Sequence, residues 1–65
     1  MTKPEAEKEC IRRWRELPRS QRATNDQANA FASALMEDIV FPTSADRLRI
    51  ISGWLQRDLE LRGRL

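Results

Sequence analysis

The chain has 65 residues, enough for one small domain (1–65), and Lys+Arg 12 against Asp+Glu 10 leave a net charge of +2. With no His, no Tyr and one Cys (Cys10), it lacks an imidazole for acid–base or nucleophilic chemistry, a ligand set for zinc, and any intramolecular disulfide. No uninterrupted apolar stretch exceeds three residues, as at Ile39-Val40-Phe41, against the roughly 20 a membrane helix needs.

Met1-Thr2-Lys3-Pro4-Glu5 has no apolar run behind it, so no secretory signal is expected. A cytoplasmic protein is the expectation, in keeping with the lone cysteine. Thr2, Pro4 and Glu5 form a capping-box pattern that starts a first helix. Ala6, Cys10, Trp14 and Leu17 then recur at helical spacing, with Ile11 at the edge of that face. Acidic residues fill the first half and Arg12, Arg13 and Arg15 the second, as the helix dipole favours. Pro18 disfavours helical geometry at Leu17, which sets the helix at about 3–17.

Pro18 to Ala23 reads as a polar connector with room for one helical turn. Thr24 and Gln27 form a second capping box. Ala28, Phe31, Leu35 and Ile39 supply the apolar face of a helix over about 25–38, kept slim by Ala30, Ala32 and Ala34. Beyond Pro42, Thr43-Ser44-Ala45-Asp46 is a third start signal, with Asp46 expected in the first turn. The third helix is predicted over about 44–62 with Gly63 as its stop, and a close backbone crossing is the expected reason for Gly53 at mid-helix. No segment alternates like a strand, so the fold class is all-α, a compact three-helix bundle.

Two constellations carry the functional reading. On the third helix, Leu48, Ile51, Leu55 and Leu59 form one apolar stripe; Ile50, Trp54 and Leu61, extended by Leu65, form a second beside it. Two covering helices explain both stripes; a second stripe left partly exposed makes Ile50, Trp54, Leu61 and Leu65 a candidate apolar interface for a protein partner or a homodimer. Arg47, Asp58 and Arg62 intrude on this arc, and Asp58 and Arg62 are spaced for an i,i+4 pair.

The second constellation is Arg12, Arg13, Arg15, Arg19 and Arg22, with Glu16 the only acid between them. Dipole complementation and pairing with Glu9 and Glu16 explain it; an anion or partner surface is the other reading. Segment charges bear on this: residues 1–22 hold seven basic and four acidic side chains, 23–42 none and three, 43–65 five and three. The acidic middle opposes DNA, and a helix-turn-helix would read bases with little beyond Ser44, Arg47 and Arg49.

Trp14 and Trp54 are read as core anchors against Phe31 or Phe41, and Cys10 as a core thiol. Glu37 and Asp38 point about 100° apart and make no carboxylate dyad. No glycine loop for phosphate exists, since Gly53 and Gly63 are the only glycines. Trp14-x-x-Leu17-Pro18 followed by Gln27-Ala28-x-x-Phe31-Ala32 has a bacterial cast that carries no function.

The expectation is therefore a non-catalytic protein-interaction module or adaptor, without metal, cofactor or small-molecule substrate and without a membrane span. The alternative is a basic nucleic-acid-binding accessory protein using the arginines around the end of the first helix.

Overall fold

A computed structural model describes residues 1–63. Helix α1 spans Lys3–Arg15, a 3₁₀ turn Arg19–Gln21, α2 Asn25–Asp38 and α3 Arg47–Gly63. Each start has a local cause. The Thr2 hydroxyl accepts from the Glu5 N–H while the Glu5 carboxylate accepts from the Thr2 N–H and hydroxyl, which holds that carboxyl below its ordinary range. Thr24 and Gln27 repeat the box on α2, where the Gln27 amide also donates to the Ser20 carbonyl at 2.7 Å and so ties the 3₁₀ turn to the helix.

Two boundaries differ from expectation. Helix α1 ends at Arg15, two residues early: Pro18 denies Leu17 helical geometry, and the Leu17 N–H falls back to a tighter bond with the Trp14 carbonyl. Helix α3 begins at Arg47, not at 44. Asp46 is the cap and not a first-turn residue: its carboxylate accepts from the Leu48 N–H at 3.0 Å, and its carbonyl takes the Ile50 N–H. Thr43 turns on itself, its hydroxyl accepting from the Ala45 N–H. At the other end α3 runs through Gly63, the last described residue.

Helix α3 packs against both α1 and α2. The core comprises Ala6, Cys10 and Trp14 from α1, Ala28, Ala32 and Leu35 from α2, Ile51 and Leu55 from α3, and Ile39 and Phe41 from the connector. Leu17, Phe31, Met36, Leu48, Ile50 and Trp54 pack around it. Phe31 thus lies at the flank, with Ala32 in the centre. The alanine lets the helices approach, and the ring covers Trp14 from the side, centroids 5.7 Å apart and planes at 43°. In the connector, extended backbone sends alternate side chains to opposite faces. Ile39 and Phe41 are buried, and Val40 between them is 62% exposed.

No neighbouring element explains Gly53. A Cβ built there meets nothing within 4 Å, and the residue is exposed. Among the described residues the expected close crossing is therefore absent. Gly53→Ala is predicted to stabilise the monomer by about 1 kcal/mol, or some 4–8 °C in melting temperature for a domain of this size. Thermal melts at low micromolar protein check this, and an unchanged or lower midpoint contradicts it.

Candidate functional site

The five predicted arginines do not form one surface. Arg12 lies on the outer face of α1 and pairs with Glu9 and Glu16. Arg13 turns toward α2, with Nε on Glu9 at 2.8 Å and Nη1 3.5 Å from Asp38. Arg15 crosses to α3, where Nε and Nη2 both donate to one oxygen of Asp58, at 3.2 and 2.7 Å. Arg22 is half-buried and donates to the Leu17 carbonyl at 2.8 Å. Arg19, in the 3₁₀ turn, is exposed and has no ion pair among the described residues. A helix sends successive residues about 100° apart, which is why three arginines within four positions face three different ways.

Charge pairing on α1 is dense enough to shift titrations. Glu9 accepts from Arg12 Nε and Nη2 and from Arg13 Nε, and these bonds lower its carboxyl from an ordinary value near 4.5 to about 2. The Arg12 guanidinium is correspondingly shifted up, chiefly by its bond to Glu9. A depressed carboxyl contributes stability above its ordinary pKa and loses it as pH falls through the folded value. The window for Glu9 is therefore from about pH 4.5 down to about 2. Urea titrations across it are predicted to show a shallower fall of stability for Glu9→Gln than for the wild type, and parallel curves would contradict the pairing.

Cys10 is fully buried between α1 and the core, and burial pushes its thiol up to about 11. The exposure that a cysteine nucleophile needs is not met. An open groove on α1, lined by Pro4, Glu7, Lys8, Ile11, Arg12 and Arg15, is the face of a single helix and not an enclosed cavity. Among the described residues no three His, Cys, Asp or Glu side chains are grouped to hold a metal ion, and no helix is long and apolar enough to cross a membrane.

The predicted apolar interface is placed differently. Ile50 and Trp54 are half-buried at the outer edge of α3, Trp54 resting on Phe41 with centroids 5.3 Å apart. Leu61, further along that edge, is 60% exposed. Leu65 and the Arg62 side chain lie outside the described residues, and so does the expected Asp58–Arg62 pair. Asp58 is buried and takes Arg15 from α1. The first stripe faces inward: Ile51 and Leu55 are buried and Leu48 and Leu59 half-buried.

Fold and surface together define a small three-helix bundle with one apolar helix edge partly open to solvent. No protein-family model, no curated protein and no solved structure matches the chain.

Proposed function

We propose that this chain is a small, non-catalytic interaction module, of cytoplasmic setting, whose contact surface is the outer edge of α3 at Ile50, Trp54 and Leu61. The observation that carries the reading is Leu61, a large aliphatic side chain left in water on the same helix edge as two half-covered apolar residues. A protein partner's apolar surface covers such an edge, and tryptophan with flanking arginine is the chemistry that concentrates binding energy there. The nucleic-acid reading draws less support, because Arg12, Arg13 and Arg15 already share their charge with Glu9, Glu16, Asp38 and Asp58.

Two residue-resolved NMR titrations test the reading. The amphiphilic anionic dye 8-anilinonaphthalene-1-sulfonate, through its apolar rings, is expected to shift Ile50, Trp54 and Leu61, and a random DNA duplex at low salt is expected to leave the spectrum unchanged. Saturable shifts with the duplex over Arg12 to Arg22, abolished at moderate salt, would replace it with the nucleic-acid reading.

A further inference from the structure

We infer that the occupant of the α3 edge is a second copy of this chain, docked as an antiparallel α3–α3 pair about a two-fold axis passing between Leu55 and Gln56. The inference rests on the reading of that edge as an interaction surface and adds the partner and the register.

The first argument is spacing. Ile50, Trp54, Arg57 and Leu61 follow one another at four, three and four residues, the alternation of a knobs-into-holes seam, and at 100° per residue they fall within about 60° of arc. Of these only Ile50 and Trp54 are half-buried; Arg57 and Leu61 are exposed. A two-fold axis between Leu55 and Gln56 sets Ile50 opposite Leu61 of the second copy, and Trp54 opposite Arg57 of the second copy. By symmetry each contact occurs twice, as a closed two-fold interface requires. The Arg57 stem covers the exposed part of the indole, and its guanidinium lies over the ring as a cation–π partner.

The second argument is charge. Arg49, Gly53 and Glu60 share one flank of the seam, all exposed. In the same register Arg49 of one copy and Glu60 of the other come within two residues of facing one another, an axial offset of about 3 Å that long side chains span. Within one chain these two residues are eleven apart on a straight helix, about 16 Å, and cannot meet. The surface is thus complementary to its own two-fold image.

The third argument is Gly53, whose missing Cβ nothing among the described residues requires. It sits on the flank between Arg49 and Glu60, where the absence of a side chain lets a second helix backbone approach and brings those charges into reach.

Sedimentation of the full chain from micromolar to millimolar protein is expected to show a shift from 7.6 kDa toward twice that mass. Leu61→Glu, at an exposed position that folding does not need, is expected to weaken the association at least ~10-fold. Arg49→Glu and Glu60→Arg are each expected to weaken it, and the double reversal to restore it, since only the pair between copies is repaired. A chain that stays at 7.6 kDa at millimolar concentration overturns the second copy as occupant. An association indifferent to Leu61→Glu overturns the surface. One that Leu61→Glu weakens but the double reversal does not restore overturns the register. In the first case dye-induced shifts at Ile50, Trp54 and Leu61 would still leave the α3 edge as a surface for another protein, whereas duplex-induced shifts at Arg12 to Arg22 bear on that broader reading alone.

Discussion

Trp14→Ala is expected to abolish cooperative folding. The indole is 1% exposed and is the largest fully buried side chain of the core. Truncating such a residue costs about 3–5 kcal/mol, and loss of the tilted contact with Phe31 adds about 0.5–1.5. At the usual 0.05–0.15 kcal/mol per residue, a chain of this length has only about 3–10 kcal/mol of stability in total. The variant is therefore expected to show a broad, non-cooperative melt by far-ultraviolet circular dichroism. Trp14→Phe, which keeps an aromatic ring against Phe31, is expected to retain a sharp transition at lower temperature. Trp54→Ala is expected to cost far less, because part of that ring already faces water. If Trp14→Ala melted within a few degrees of the wild type, Trp14 would not be the anchor of the bundle.

Arg15→Ala is expected to destabilise the fold by about 1–3 kcal/mol, and by more than Asp58→Leu does. The Asp58 carboxylate is 4% exposed, and two Arg15 N–H groups converge on one of its oxygens. Removing the guanidinium leaves a buried charge with fewer partners, whereas removing the carboxylate leaves an arginine already half in water, its side chain 49% exposed. That exposure also keeps the cost below the 3–5 kcal/mol typical of a fully buried pair. Arg15→Lys is expected to recover part of the loss, because a lysine supplies charge but not the two-pronged fork. Urea denaturation of the three variants checks the order. Equal losses for Arg15→Ala and Asp58→Leu would mean that the contact contributes through packing and not through charge.

The helices were legible because their signals are local. Thr2 with Glu5 and Thr24 with Gln27 are three residues apart, and the bonds they make are the ones their spacing implies. Where a signal had competitors, position slipped. Three polar residues precede α3, Thr43, Ser44 and Asp46, and each can cap; the structure uses Asp46 for the helix and Thr43 for a turn, which moves the start from 44 to 47. Trp14 was legible as core from its spacing with Ala6 and Cys10. Phe31 and Ala32 were not separable, since they are neighbours on one arc and only the partner helix decides which faces it.

The candidate surfaces were less legible. The arginines read as a cluster because they are close in sequence, yet their partners Asp38 and Asp58 lie 25 and 43 residues away from Arg13 and Arg15. The open edge of α3 was legible as a second stripe, but its degree of cover was not. Arg57 belongs to that edge by spacing, and its charge concealed it from a search for apolar periodicity. Val40 was hidden in an apolar run that only extended backbone splits into inward and outward residues.

By itself the sequence determined the number of helices, the caps of α1 and α2 and the apolar faces that meet, because each of these depends on residues within one or two turns. The tertiary structure decided that Arg15 crosses to a buried Asp58, that none of the described residues approaches Gly53, and that Leu61 faces solvent while Leu55 does not. Burial and ion pairing depend on which faces the chain brings together at long separation, and such a meeting leaves no period or cap in the sequence for either partner alone.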